Sequence, residues 1–231
     1  MAFLALVPVF AQEDSTRLSP WIPSLLRVGV DIIRPAGSLA QAGWHGAEAQ
    51  AEIDFNDLFL VFEGGFQQTQ RGQSFDYRSQ GQFWRVGLDK NYMAGSREGN
   101  VVSLGLRYAE AQFSDQIRYL ADSLYLNGAY QPAFPIELNN AQLKARWLEM
   151  TAGMQVKLWH HLSVGYQFRY RFAKKVTGDD WLEPYDIPGF GRHKKSSTLV
   201  KKNTVGFTYY LYWTIPFREK PLPKQKKQWG I

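Results

Sequence analysis

The sequence predicts an all-β chain: an eight-stranded antiparallel transmembrane up-and-down β-barrel with short periplasmic turns and two long outer loops. Three observations carry this expectation. From Leu26 onward the dominant period is two residues. One face of each alternating segment is continuously aliphatic or aromatic, whereas the other mixes glycine with nearly balanced acids and bases. Short and long connections alternate, as expected where one end of a sheet meets a tighter boundary than the other.

The first segment sets Leu26, Val28, Val30 and Ile32 against Arg27, Gly29, Asp31 and Ile33, and Pro35-Ala36-Gly37 ends it. The second opposes Ala47, Ala49, Ala51 and Ile53 to Glu48, Gln50, Glu52 and Asp54, turning at Phe55-Asn56-Asp57 into a third that runs from Leu58 to Phe66. The fourth, Asp76 to Tyr92, carries Trp84, Val86 and Leu88 opposite Arg85, Gly87 and Asp89. The fifth places Val102, Leu104, Leu106 and Tyr108 opposite Ser103, Gly105, Arg107 and Ala109. The sixth extends from Gln142 to Trp159, with Leu148, Met150, Met154 and Val156 facing away from Glu149, Thr151, Gln155 and Lys157. The seventh alternates most cleanly, Leu162 to Phe172, and the eighth covers Lys202 to Phe217. No long helix, solenoid repeat or domain linker is legible.

Composition narrows the class. The 231 residues suffice for one core, yet 12 Tyr, 15 Phe and 8 Trp make 15% of the chain beside 20 Gly and 21% charged residues. Mean hydropathy is only -0.36. No run approaches the roughly 18 to 20 apolar residues of a spanning helix. The absence of Cys excludes disulfides, thiolate metal sites and thiol catalysis. Met1 to Ala11 is a short apolar run followed by Gln12-Glu13-Asp14-Ser15, the pattern of a secretory signal peptide cut after Ala11. Its basic n-region is missing, which fits a start upstream of Met1; the alternative is a buried first strand or a frayed terminus. The expected division is signal peptide 1–11, periplasmic segment 12–24, barrel 25–217 and basic periplasmic tail 218–231.

A soluble barrel hides its apolar face and exposes its charges, so the two faces decide between the architectures. The polar face expected to fill the lumen holds Arg27, Asp31, Glu48, Glu52, Asp54, Glu63, Arg85, Asp89, Arg107, Glu149, Lys157, Arg169 and Arg171, seven acids against six bases. In an eight-stranded barrel such side chains brace the interior rather than conduct solute. Arg107, Arg169 and Glu149 are expected at its centre. Tyr92, Tyr108, Trp159, Tyr170, Trp213 and Phe217 are expected at the two membrane interfaces. Turns near Asn56, Ser96 and His161 are short, whereas Phe113 to Asn140 and Lys174 to Lys201 are expected as the two long outer loops.

Chemistry-bearing motifs are sparse. His45, His160, His161 and His193 form no compact ligand set, and no nucleophile elbow or Walker loop occurs. Neither a metal nor a cofactor is expected. Gly189-Phe190-Gly191 lacks the strand-turn-helix setting of a nucleotide site. The tail beyond Phe217 carries five bases and one acid, which makes Lys220, Lys224, Lys226, Lys227 and Trp229 candidate contacts for periplasmic partners or anionic headgroups; a disordered solubilising end is the alternative. Outer-membrane lipid and periplasmic or outer-membrane proteins are the expected partners, and nucleic acid is not.

Leu26-Arg-Val-Gly-Val-Asp-Ile-Ile33, Phe83-Trp-Arg-Val-Gly-Leu-Asp-Lys-Asn-Tyr92 and Val102-Ser-Leu-Gly-Leu-Arg-Tyr108 resemble a family of small eight-stranded outer-membrane β-barrels from Bacteroidota. The resemblance runs from about Leu25 to Phe217. It implies export, an eight-stranded barrel and a place in a larger envelope assembly, with an accessory role in a secretion or biogenesis complex as a related reading. It carries no catalytic residues. The functional expectation is therefore a non-enzymatic structural or interaction subunit. Two alternatives stay open: a small outer-membrane lipid-modifying enzyme with a rim cluster of Ser, His and acid such as Ser163 and His161, and a lipocalin-like binder with its aliphatic faces inward.

Overall fold

The computed structural model describes residues 22–40, 43–72, 75–93, 99–126, 129–178, 184–192 and 203–218. The elements run β1 (Leu25–Asp31), α1 (Ile33–Ala40), β2 (Trp44–Phe55), β3 (Leu58–Gly72), β4 (Asp76–Asn91), β5 (Val101–Ala121), β6 (Leu124–Leu126), β7 (Ala129–Gln131), β8 (Phe134–Lys157), β9 (Leu162–Thr177), β10 (Asp186–Ile187), β11 (Gly191–Arg192) and β12 (Thr204–Pro216). Eight of them are hydrogen-bonded in a ring, in the order β1-β12-β9-β8-β5-β4-β3-β2. The first strand completes the ring by pairing with both β2 and β12, so Leu25 lies opposite both Asp54 and Pro216. Each ring strand thus bonds to a neighbour on both sides over part of its length, while residues 134–143 of β8 have no partner on β9 and residues 204–209 of β12 none on β1.

The expected plain eight-stranded barrel with two long outer loops is corrected. Among the described residues there are twelve strands and one helix, and two short ladders, β6-β7 and β10-β11, stand apart from the ring. Most of the segment expected as the first outer loop is sheet: β5 continues to Ala121 and β8 begins at Phe134, with pairing from Phe113 opposite Leu143 to Ala121 opposite Phe134. One register shift between Phe113 and Asp115 lets this extension change direction. Within the second expected loop, residues 184–190 turn back into the ring, and all but Tyr185 are buried.

Pro35-Ala36-Gly37, expected to end a strand, lies inside α1. Proline is tolerated in a first helical turn because the N–H it lacks has no partner within the helix. Asp31 starts the helix by accepting hydrogen bonds at Oδ1 from the backbone N–H groups of Ile33 (2.9 Å) and Arg34 (3.3 Å). The β2-β3 turn follows the expected two-residue form. Asn56 (φ 53) and Asp57 (φ 73) both take the left-handed conformation, and the Asp57 N–H bonds to Asp54 Oδ1 at 2.7 Å.

The alternation along the long strands reverses its chemistry part of the way up. On β5 the outward positions Val102, Leu104, Leu106 and Tyr108 give way to Glu110, Gln112 and Ser114, while the inward positions Ser103 and Arg107 give way to Ala109, Ala111 and Phe113. On β8 the outward residues Leu148, Met150 and Met154 are replaced above by Arg146 and Lys144, and inward Glu149 by Trp147, Ala145 and Leu143. On β4, Val86 and Leu88 outside and Arg85 and Asp89 inside change to Gln80 and Gln82 outside and Phe83 and Tyr77 inside. The lower ring is polar within and apolar without; the upper ring has the opposite sense. The upper interior is the main apolar core, in which Phe83, Phe113, Leu143 and Trp147 from the ring pack with Ile187 and Phe190 from the inserted loop.

Candidate functional site

The polar lumen of the lower ring is the most chemically loaded part of the molecule. Alternation places every second residue inside, and glycines or small residues between the long side chains leave them room to cross the interior. Gly29 illustrates the need: a Cβ there would sit 2.6 Å from the Tyr212 ring. The acids Asp31, Glu48, Glu52, Asp54, Glu63, Asp89 and Glu149 are all buried, as are Arg27, Arg85, Arg107, Arg169 and Arg171.

These groups form a connected lattice. Arg169 donates from Nη1 to Glu63 at 2.7 Å and to Glu149 at 3.3 Å, and from Nη2 to Glu48 at 3.1 Å. Arg85 pairs with Glu48 and Glu63 at 2.9 Å and with Glu149 at 3.0 Å. Arg107 pairs with Glu63 and, at 2.7 Å, with Asp89, and Arg171 pairs with Glu149 at 3.2 Å. Nearer the short-turn end, Arg27 bonds to Glu52 at 2.9 Å and to the Gln155 amide oxygen at 3.0 Å. Glu48, Glu63 and Glu149 each face at least two guanidinium groups. Such bidentate, charge-assisted bonding is the arrangement under which the cost of desolvating buried ions is offset.

The positions in the expected network differ in one seat. Lys157, expected inside, is the last residue of β8 and is exposed, with its stem over Gly99 at the rim, so its ammonium stays hydrated. Arg34 joins the acids instead: from α1 it pairs with Asp31 at 3.1 Å and Glu48 at 2.9 Å. The pattern gave no sign of this, because Arg34 reaches the interior from a helix folded over the end of β1. Alternation did not mark as partners the amides of Gln50 and Gln167 or the hydroxyl of Tyr210, which bonds to Glu48 and lies 2.8 Å from Arg169 Nη2.

The inserted loop caps this lattice. Arg85 Nη2 donates to the Gly189 carbonyl at 2.8 Å, and Arg171 Nη1 donates to the Phe190 carbonyl at 3.1 Å. Asp186 accepts from Thr69 Oγ1 at 2.8 Å and from the Gln67 amide at 3.2 Å, while its backbone carbonyl accepts from Ser79 at 3.0 Å. Burial raises the Asp186 carboxyl above its ordinary value, against the opposing pull of these donors and of Arg71 and Arg34. Burial likewise pushes up the Asp115 carboxyl and the Tyr77 hydroxyl nearby. At the outer end Glu137 lies in water, and its hydrogen bonds from Arg118 and Gln116 hold it below the ordinary carboxylate value.

The expected interface aromatics lie on the outer face or at the rims. Tyr92, Trp159, Trp213 and Phe217 sit at the short-turn end and are exposed, Trp159 at 71%. Tyr108 and Tyr170 stand near the level at which the outer face turns polar. Tyr108 packs near Trp84 with centroids 5.7 Å apart, and Tyr170 accepts a 2.7 Å bond from Asn203. The segment expected as a signal peptide, His193, and Lys220, Lys224, Lys226, Lys227 and Trp229 lie outside the described residues.

The geometry offers little to two alternatives. In the lower ring the aliphatic faces point outward and the interior is charged, and the upper interior is filled by packed side chains, unlike the open apolar cavity of a lipocalin-like binder. Ser163 is buried in the ring, while the exposed His161 lies 3.0 Å from the Thr214 carbonyl through Nδ1. Among the described residues no group of three acids or histidines is arranged to hold a metal ion.

Comparison with known proteins gives a family and distant likenesses. The chain resembles the crystal structures of Neisserial surface protein A (12% identity, 84% of this chain and 96% of that chain, TM-score 0.41) and of Acinetobacter baumannii CarO (11%, 85% and 99%, 0.40) and CarO2 (10%, 84% and 99%, 0.38). Likeness at this level transfers no function. No curated protein matches the chain. The expected tie to Bacteroidota is not part of any of these matches. The profile of a family described as a domain of unknown function (DUF6048) matches residues 11–220, nearly the whole chain, and the protein belongs to that family.

Proposed function

We propose that this protein resides in a bacterial outer membrane as a non-enzymatic structural or interaction subunit of an envelope assembly. The reversal of polarity along the strands is the observation that carries this reading. In water, an outer face of Val28, Val30, Leu60, Phe62, Leu104, Leu106, Met150 and Phe207, each at least 40% exposed, lacks any compensating partner. In a bilayer the same face is matched to its solvent, and where the ring strands pair on both sides their backbone groups are satisfied without water. Above Tyr108 the outer face becomes polar and the interior apolar, the arrangement that water requires. Rim aromatics at the short-turn end and near the reversal fit the two headgroup regions.

The filled lumen supports a bracing rather than a conducting role. Interaction then falls to the long-strand extension and to the basic tail, with Lys220, Lys224, Lys226 and Lys227 as tail contacts to periplasmic proteins or headgroups. Fractionation of cells expressing the full chain tests the reading. Sedimentation with the outer membrane and resistance to alkaline carbonate are expected; recovery in the soluble fraction without detergent overturns it. Copurification from detergent extracts, with and without truncation after Phe217, tests the tail: partners lost on truncation assign it the contact.

A further inference from the structure

A polar hollow lies on the outer face of the upper sheet, immediately above the level at which the apolar face ends. It has a volume near 700 Å³ and is lined by Gln68, Gln80, Gln82, Gln112, Gln142 and Lys144 among others. The register explains the clustering: Gln68 is opposite Gln80, Gln82 opposite Gln112, and Gln112 opposite Lys144. Four strands therefore bring the amides together. The hollow itself follows from the inward face. Gly81 has no side chain where Phe113 approaches, a Cβ there would overlap Phe113, and the β5 ladder shifts register just beyond.

These amides are exposed and bond to no described residue, in contrast to the interlocked groups inside the ring. Neutral amides with both donors and acceptors suit hydroxyl-rich ligands better than anions or apolar groups. A volume of this order accommodates a small ligand of a few rings. At its lower edge the hollow meets Phe66, exposed at 56%, and one step further down Trp84 and Tyr108, aromatic faces against which sugar C–H groups pack. Lys144 adds a positive charge at the same level, where Arg146 is already paired with Glu110 at 2.9 Å.

We propose that this hollow binds the sugar headgroup of a glycolipid in the surrounding leaflet, with the acyl chains lying down the apolar face below. The inference rests on the membrane reading above, because continuity between amide shelf and apolar face selects a lipid-linked sugar over a free one. Lys144 suits a phosphate group of the kind such headgroups carry.

The test uses the full chain. Flotation with phospholipid vesicles comes first, and failure to float overturns the membrane reading itself. Floating protein is then placed in phospholipid nanodiscs doped with purified lipopolysaccharide, and bound glycolipid is counted by native mass spectrometry. The variant Gln82→Ala/Gln112→Ala is expected to lose retention about tenfold or more, since each amide contributes one or more hydrogen bonds. Gln112→Glu, which removes the amide donors and adds a charge that repels phosphate, is expected to lose it as well. Lys90→Ala, on the same strand as Gln82 but at the opposite rim, is expected to retain the wild-type level. Equal retention by wild type and both glutamine variants overturns the proposal. So does equally tight binding of the delipidated oligosaccharide, which would make the hollow a site for free glycans.

Discussion

Arg85 links the lattice to its lid: the guanidinium that pairs with Glu48, Glu63 and Glu149 also donates to the Gly189 carbonyl at 2.8 Å. The residue is fully buried. Removing one member of a buried ionic cluster leaves the others desolvated and underpaired, which costs far more than the net worth of the pair. Arg85→Leu is therefore expected to lower stability by about 3–5 kcal/mol. The urea midpoint of the detergent-solubilised protein, followed by tryptophan fluorescence, reads this directly, and an unshifted midpoint would show that the lattice is not coupled to stability.

Arg34 and Lys157 provide a paired test of which cation braces the acids. Arg34→Ala removes partners of Asp31 and Glu48 and a guanidinium 5.4 Å from the Phe83 ring centroid, and about 1–3 kcal/mol of destabilisation is expected. Lys157→Ala leaves a hydrated rim position and is expected to stay within about 0.5 kcal/mol of wild type. Reversal of this order in the same unfolding assay contradicts the assignment.

Gly189 is held at φ +76, where a Cβ would meet the Phe83 ring at 2.6 Å. A β-branched residue there has neither the conformation nor the space. Gly189→Val is expected to expel residues 184–192 from the ring and expose them to protease. Single-channel recordings in planar bilayers are expected to show no steps for wild type or variant, because the buried ionic lattice fills the lumen below the loop. Open steps from a variant whose loop is cleaved would mean that the loop, and not the lattice, seals the lumen.

Asp186 makes loop docking depend on pH. Burial raises its carboxyl above the ordinary 3.8, so the folded state prefers the protonated acid. The sign follows: this contribution to stability is fully present below 3.8 and is lost as pH rises through the raised value. Around the group stand Thr69 and Gln67 from β3 and Tyr77 and Ser79 from β4, with Arg71 and Arg34 opposing the shift; Asp115 of β5 bonds to Tyr77 at 3.4 Å. Hydrogen exchange in residues 184–192 is expected to show weaker protection at about pH 7 than at about pH 4 after correction for intrinsic rates. Asp186→Asn is expected to flatten the difference, and a pH response unchanged in that variant assigns it to Asp115 instead.

Much of the ring was legible because two-residue alternation is a local property. Leu162 to Phe172 and Val102 to Tyr108 announce a strand and its two faces without knowledge of any neighbour. The upper half was read less well, although Glu110, Gln112, Arg146 and Lys144 announce the reversal in the same periodic code. The alternation continues there with its chemistry exchanged, and a search for one apolar face ends where that face changes sides. The bulge at Ala173, with φ 54, further shifts the parity of β9, so Val176 turns toward the core.

By itself the sequence determined the strands, their inward charges and outward apolar residues, and the short β2-β3 turn, since each depends on residues within a few positions. Only the tertiary structure decided that Arg34 joins the acids while Lys157 stays at the rim, that Ile187 and Phe190 complete the core, and that five outward glutamines from four strands meet in one hollow. These juxtapositions depend on ring register and on segments returning from outside the alternating pattern. Contacts between residues more than a hundred positions apart, such as Arg85 and Gly189, leave no periodic trace in a single chain.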